Sequence, residues 1–265
     1  MRVKKRCDIQ IWRASPNDVE HWRWREFTSL LDLAERSQAF KFRHEADRKA
    51  YVLAHGLRRL ALADLLNVPP TALVFRCDKN GKPELIRPTH KPIYFSHSHT
   101  RKGVVFAASA DMVVGIDAES VGTEPLDFEL LRPFMGCSVL PLAEKKQSPA
   151  TSFYRYWTAL EAFSKAIGTG LSQAHSCIRF VPDAHGHWNV KFDDPHTPEM
   201  TSMVTQAVVM PVTSPHGCVA SLAVMSPPQN FTTASSFETL GEDITLVIHE
   251  KNITEDFEFF QHPSN

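Results

Sequence analysis

Two carboxylates close an apolar run in the middle of this chain. Asp117 and Glu119 follow the sequence Val-Val-Gly-Ile at positions 113–116. Because side chains alternate between the two faces of a β-strand, a strand here puts both carboxylates on one face and Ile116 and Ala118 on the other. Neighbouring carboxylates raise each other's pKa unless a cation lies between them. Oxygen-only ligands favour Mg²⁺, which completes its shell with water and phosphate oxygens. The alternative is a strand end with two solvated acids.

A second group of polar residues lies on a predicted helix. Its apolar stripe consists of Tyr156, Leu160, Phe163 and Ile167. A second stripe, with a spacing of four residues, contains Trp157, Glu161 and Lys165. This stripe indicates either an ordinary surface Glu–Lys pair or a functional pair, in which Glu161 is a metal ligand or general base and Lys165 balances phosphate charge. Gly168 is expected to end the helix in the left-handed conformation.

A third group alternates hydroxyls and imidazoles. Residues 96–100 read Ser-His-Ser-His-Thr. On a strand, the hydroxyls lie on one face, while His97 and His99 lie on the other. A His-x-His pair also occurs in transition-metal sites, so a metal-dependent hydrolase that uses His97, His99 and Asp117 stays open as an alternative.

Charge and composition narrow the functional classes. The chain has 29 Lys and Arg against 30 Asp and Glu, so it is not a polycation built to coat nucleic acid. Residues 1–60 carry a net charge of +6, and residues 227–265 carry −6. The basic N-terminal segment, residues 1–60, indicates an anionic ligand or partner. Five scattered cysteines without a C-x-x-C pair, and no apolar run long enough for a signal peptide or a membrane span, predict a cytoplasmic protein without a membrane partner.

The elements that must position these residues are short and mixed. Apolar spacing predicts helices over 19–33, 46–66 and 152–167. Within residues 71–119, strands are predicted at 73–75, 93–95, 104–108 and 113–116, with turn residues at 78–83. Further strands are predicted at 7–13, 178–181, 188–192, 203–212, 218–224 and 243–249. Helices followed by strands occur twice, which predicts an α+β protein of two similar halves. We expect the halves at residues 1–112 and 113–226, with an acidic extension at 227–265.

Taken together and in order, these motifs resemble those of the Sfp-type 4'-phosphopantetheinyl transferases. The resemblance rests on Gly81-Lys82-Pro83, residues 95–100, residues 115–119, the stripe of Trp157, Glu161 and Lys165, and Gly168 with Gly170 and Leu171. It reaches back to Glu35, Arg36 and residues 40–59 and covers roughly residues 8–225, so the acidic extension lies outside it. Each motif alone is weakly specific, but four in the family's order are strong.

The resemblance implies a fold, a reaction and a metal. It implies a monomer whose two α+β halves are related by a pseudo-two-fold axis, with coenzyme A in the cleft between them. Such enzymes transfer the 4'-phosphopantetheine arm of coenzyme A to a serine of an acyl or peptidyl carrier protein and release adenosine 3',5'-bisphosphate. It implies further that Asp117, Glu119 and Glu161 hold Mg²⁺. Glu161, or a water it orients, would deprotonate the serine.

The resemblance also assigns residues to coenzyme A. Lys165 and His99 are expected at the pyrophosphate, Ser98 and Lys82 along the coenzyme site, and Arg48, Arg36 and Arg76 at the adenosine 3'-phosphate. The Arg and Lys side chains of the basic N-terminal segment suit the polyanionic coenzyme A, and the same surface suits an acidic helix of a carrier protein.

The chain departs from the family pattern at three positions. Ser96 stands where the family usually has Asn, His97 where it has an aliphatic residue, and Leu160 where it has Lys. His97 thereby becomes a rival for the role given to His99. The three carboxylates are unaffected, so we expect activity to survive. Their presence, with that of Lys165, argues against a binding module that has lost its chemistry.

Overall fold

The residues that the structure describes form two larger β-sheets, a separate hairpin and four α-helices. A computed structural model describes residues 5–21, 23–78, 81–88, 92–122, 148–168, 178–182, 187–192, 207–227 and 244–253. In this part of the chain the mixed α+β class is confirmed. Gly170, Leu171, the start of the strand predicted at 203–212 and most of the acidic extension lie outside the described residues.

The first half contains three helices and five strands. They are β1 (Lys5–Ala14), α1 (Arg23–Leu30), α2 (Leu33–Ala39), α3 (Glu45–Leu66), β2 (Val74–Cys77), β3 (Pro83–Arg87), β4 (Tyr94–His99) and β5 (Val104–Ser109). The sequence predicts one helix over 19–33, but Asp32 and Glu35 form a reciprocal capping box that starts α2 as a separate helix. The strand β3 is not predicted by the sequence pattern.

The second half places one long helix on a sheet. Its elements are β6 (Val113–Ser120), α4 (Pro149–Ile167), β7 (Ile178–Pro182), β8 (Trp188–Phe192), β9 (Ala207–Val212) and β10 (Cys218–Met225). The sheet has the strand order β6-β10-β9-β8-β7. The hydroxyl of Ser148 caps α4 by accepting from the N–H of Thr151, and Gly168 ends the helix in the left-handed conformation, as the sequence predicts.

The two halves share a core, and the last strand joins the first half. Side chains of β1 and β5 pack against those of β6 and β10. The strand β11 (Ile244–Asn252) pairs parallel to β1, which gives the first sheet the order β11-β1-β5-β4. The strand predicted at 243–249 is thus confirmed, and this part of the acidic extension is built into the sheet of the first half. The boundaries after residues 112 and 226 stay a prediction. None of the described helices is long and apolar enough to span a membrane.

Candidate active site

A close approach between β6 and α4 builds the site. A Cβ at Gly115 would lie 2.0 Å from the carbonyl oxygen of Ala162 and 2.5 Å from the amide nitrogen of Ala166. Only glycine therefore lets the helix lie directly on the strand. The contact brings the face of β6 that carries Asp117 up to the face of α4 that carries Glu161.

Asp117 is the most buried carboxylate of the site. Ile116 and Ala118 lie in the core between the halves, as predicted, and Asp117 projects to the other face with 4% exposure. Its Oδ1 accepts hydrogen bonds from Ser98 Oγ at 2.8 Å and from Lys165 Nζ at 2.6 Å. Its Oδ2 is buried and has no hydrogen-bond partner among the described residues. This unpaired oxygen marks a place for a further cation or donor.

Two glutamates complete the acidic cluster. Burial, and then the charge of Asp117, raise the pKa of Glu119 and of Glu161. Lys165 opposes both shifts, and the side chain of Trp157 hydrogen-bonds Glu119. Desolvation is the larger cause of both shifts, and repulsion from Asp117 adds to it.

The cluster fits a hard divalent cation by its chemistry, although its side chains are not gathered into a metal site. In the described part of the chain, no three His, Cys, Asp or Glu side chains are arranged to hold a metal ion. Lys165 and Ser98 occupy one oxygen of Asp117. The orphaned Oδ2 of Asp117 and the mutual repulsion of the carboxylates are what a bound cation would relieve, and oxygen donors are those that Mg²⁺ prefers.

The alternation along β4 is confirmed. Ser96 Oγ accepts from the N–H of Ile116 at 3.2 Å, and Thr100 Oγ1 accepts from Ser120 Oγ at 2.8 Å, so the hydroxyl face lies against β6. The two imidazoles lie on the opposite face, toward α3. There the ring of His97 meets that of His55, with centroids 5.6 Å apart, and the ring of His99 meets that of Tyr51 at 6.4 Å.

The imidazoles are neutral at ordinary pH. Burial of the His97 ring, assisted by the positive charges of Arg58 and His55, places its pKa well below the usual value. Desolvation beside its neighbours, and then the charges of His55 and Lys165, lower the pKa of His99 to about 4, although part of the side chain reaches solvent. Neutral His99 can donate one N–H hydrogen bond without adding charge.

A cavity of about 280 Å³ adjoins this cluster and lies between the two halves. It is lined by residues 81–83 of the hairpin, residues 95–97 of β4, and Ser164, Lys165 and Gly168 of α4. The Nζ of Lys82 donates to the carbonyl oxygen of Lys165 at 2.6 Å, and burial lowers the pKa of this lysine. The ammonium of Lys165 thus contacts the acidic cluster, and that of Lys82 contacts the backbone of Lys165 in the adjoining cavity.

The two halves of the chain match two models of one family. A model described as the N-terminal part of 4'-phosphopantetheinyl transferases matches residues 11–111, and a model of the 4'-phosphopantetheinyl transferase superfamily matches residues 113–214. The chain belongs to this superfamily. The two matches meet between β5 and β6, so the three carboxylates of this transferase all lie in the second match.

Relatives of the transferase occur in bacteria and in mammals. The 4'-phosphopantetheinyl transferase HetI of Nostoc is 27% identical over 63% of this chain and 71% of its own length. The 4'-phosphopantetheinyl transferase psf-1 of Bacillus pumilus is 26% identical over 64% and 71%. The L-aminoadipate-semialdehyde dehydrogenase-phosphopantetheinyl transferase of the rat is 28% identical over 60% and 54%.

The arginines predicted for the adenosine 3'-phosphate lie apart from the cluster. Arg36 and Arg48 line a cavity of about 340 Å³ between the three helices of the first half. Arg36 also donates to the carbonyl oxygens of Leu31 at 2.8 Å and Ser29 at 2.7 Å. Arg76 is exposed on the hairpin and pairs with Glu84. The structure therefore brings Ser98 and Lys165 to Asp117 and sets Lys82 beside the carbonyl oxygen of Lys165. His99 lies on the opposite face of β4, against Tyr51, and the three arginines lie away from the carboxylates.

The predicted apolar stripe of α4 is confirmed at Leu160, which is 1% exposed in the core of the second half, so its departure from the family pattern is a packing change. A further feature of the transferase is missed by sequence reasoning. A buried ion network joins Glu35 to His55, Arg58 and Arg59 beneath the hairpin. The spacing of Asp32 and Glu35, which is that of a capping box, is the sequence signal that marks Glu35.

Proposed function

We propose that this protein transfers the 4'-phosphopantetheine arm of coenzyme A to a serine of an acyl or peptidyl carrier protein. The observation that carries the proposal is the buried Asp117, which is paired with Lys165 and flanked by two glutamates of raised pKa. Lys82 and Lys165 line the adjoining cavity. Carboxylates for a cation, beside lysines for phosphate, suit a pyrophosphate substrate.

We assign the binding of coenzyme A to lysine, arginine, histidine and serine side chains of the first half and of α4. Lys165 is proposed to contact the pyrophosphate as a point charge, and neutral His99 is proposed to donate an N–H hydrogen bond to it. Lys82 and Ser98 line the coenzyme site. Arg48, Arg36 and Arg76 are proposed for the adenosine 3'-phosphate, which requires their side chains to turn from the positions described above.

The metal is proposed to be Mg²⁺, held by Asp117, Glu119 and Glu161. When bound, it supplies neutralisation of the charge that develops on the phosphate oxygens. The protein's part is to hold the carboxylates on rigid elements, β6 and α4, and to keep Asp117 away from water.

Proton removal is proposed for Glu161. The serine oxygen forms a bond to the phosphorus that bears pantetheine, and the bond from this phosphorus to the bridging oxygen breaks, so that adenosine 3',5'-bisphosphate leaves. Glu161, directly or through a water, accepts the serine proton.

A metal-dependent hydrolase built on His97, His99 and Asp117 is not favoured. The imidazoles lie on the face of β4 toward α3, whereas Ser98 on the opposite face contacts Asp117. That the protein works as a monomer in the cytoplasm stays a prediction from the sequence.

The test is nucleotide release that depends on the carrier serine. The full chain is incubated with coenzyme A, Mg²⁺ and an apo carrier protein, and adenosine 3',5'-bisphosphate is measured by chromatography. We expect release with the native carrier and none when the carrier serine is replaced by Ala. Equal release with both carriers, or without any carrier, would indicate a hydrolase.

A further inference from the structure

The β2–β3 hairpin carries Lys82 but belongs to neither large sheet. Among the described residues its two strands pair with each other and with no other strand, and Gly81 and Lys82 form the end of its turn. A two-stranded hairpin is marginally stable by itself, so contacts outside the hairpin must hold it. Those contacts then decide where Lys82 stands.

The root of the hairpin is held through Phe75. The guanidinium carbon of Arg58 lies 4.1 Å from the centroid of the Phe75 ring, and that of Arg59 lies 5.1 Å from it. The ring of Phe95, which lines the cavity, meets Phe75 edge-on at 6.0 Å. The Phe75 ring thus contacts both guanidinium groups and the ring of Phe95. Cation–π attraction favours this arrangement.

Both arginines are themselves fixed by one buried carboxylate. Glu35 accepts from Arg58 and, at 2.8 Å, from Arg59. Burial opposes ionisation of Glu35, but hydrogen bonds from His55 and Arg59 hold its pKa at about 2. The Nε of Arg58 is buried without a hydrogen-bond partner among the described residues, so its guanidinium is held by Glu35 and the face of Phe75.

The chain that enters the hairpin is fixed as well. Arg59 Nη1 donates to the carbonyl oxygens of Leu73 at 3.0 Å and Pro70 at 3.3 Å, just before β2. At the other end, Asp78 and Lys82 close the turn with hydrogen bonds of 2.8 and 2.9 Å. A series of contacts therefore runs from Glu35 through Phe75 to the backbone of Lys82, and the carbonyl oxygen of Lys165 accepts from the Nζ of Lys82.

We propose that Phe75 is a positioning residue, which the Glu35–Arg58–Arg59 network holds so that the hairpin presents Lys82 to coenzyme A. This inference rests on the proposed function. The acidic cluster is carried by β6 and α4 and not by the hairpin. Loosening Phe75 is therefore expected to weaken coenzyme A binding and to leave the chemical step intact.

The first experiment measures coenzyme A binding to the full chain by titration calorimetry. Phe75→Leu, which removes the ring, is expected to raise the Kd about tenfold, a loss of about 1.4 kcal/mol. Phe75→Tyr keeps the ring and is expected to bind as the native chain does. Val74→Ala is the matched control, because Val74 is exposed on the same strand. In turnover, Phe75→Leu should raise KM for coenzyme A by the same factor and change kcat by less than about twofold.

The second experiment separates positioning from general damage. Phe75→Leu is combined with Lys82→Ala, and the Kd of all four proteins is compared. If Phe75 acts through Lys82, the double variant binds no more weakly than Lys82→Ala. Full multiplication of the two losses, or an unchanged Kd in Phe75→Leu, overturns the inference. If Phe75→Leu does not fold, Phe75→Met takes its place in the same cycle.

The native chain provides the reference for both proposals. Absence of coenzyme A binding by the native chain contradicts the proposed function itself. Native binding together with an unchanged Kd in Phe75→Leu contradicts only the role of Phe75.

Discussion

Lys165 Nζ lies 2.6 Å from Asp117 Oδ1, and this pair joins the helix α4 to the strand β6 at the centre of the site. The carboxylate is 5% exposed and the lysine 31%, so the ammonium has one side toward the acid and one toward solvent. An ammonium in this place can neutralise the cluster and still reach a phosphate.

Lys165→Met is expected to lower kcat/KM for coenzyme A at least about 100-fold, because a fixed charge is lost where phosphate charge develops. The control is Lys191→Met, since Lys191 is exposed on β8 at the far side of the same sheet. Comparable losses in both variants would show that the effect is one of general charge and not of this position.

Asp117→Ala and Glu161→Gln are expected to abolish transfer while the fold is kept. Asp117 supplies the orphaned buried oxygen, and Glu161 supplies the proposed base. Turnover is measured beside thermal unfolding, which shows that each variant is folded. Near-native turnover by a folded variant would overturn the assignment of that carboxylate.

Gly115→Ala is expected to destabilise the protein and to reduce transfer. The new methyl group would lie 2.0 Å from the carbonyl oxygen of Ala162, so α4 must move off β6 and carry Glu161 away from Asp117. Overpacking costs typically about 1–3 kcal/mol, and a clash with backbone lies at the upper end. Urea unfolding measures the change. Native stability together with native turnover would contradict the close contact.

Acid is expected to unfold the protein partly through Glu35. Its pKa is held at about 2 in the folded chain, against an ordinary value of 4.5. A carboxyl of lowered pKa stabilises the fold above its unfolded value, and this contribution is lost as the pH falls from 4.5 toward 2. The free energy of unfolding of Glu35→Gln should therefore fall less over this range than that of the native chain. The exposed control Glu26→Gln should follow the native chain, and an equal fall in all three proteins would contradict the role of Glu35.

Periodicity was sufficient to predict the parts of the site that lie on regular elements. Alternation places Asp117 opposite Ile116, and the four-residue spacing puts Glu161 and Lys165 on one face of α4. The sequence contains no such pattern for contacts between distant segments. The approach at Gly115, the pair of Lys82 with the carbonyl of Lys165, and the packing of Arg58 on Phe75 all depend on how the elements meet. A lone glycine and scattered arginines have no period from which such contacts follow.

The β2–β3 hairpin is a second part of the fold that the sequence pattern does not predict. The sequence pattern predicts a turn at residues 78–83, whereas the structure begins β3 at Pro83. The segment Pro-Glu-Leu-Ile-Arg lacks the strict alternation of a half-buried strand, because the hairpin is largely exposed and, within the described part of the chain, joins neither large sheet.

The central claim is tested most directly by intact-mass spectrometry of apo acyl and peptidyl carrier proteins, each incubated with this protein, coenzyme A and Mg²⁺. We predict that the carrier gains the mass of one phosphopantetheine group. No gain is expected with EDTA or with Glu161→Gln in place of the native chain. A native chain that binds coenzyme A but leaves both carriers at their original mass, or a Glu161→Gln variant that modifies them as fast as the native chain, would contradict the account.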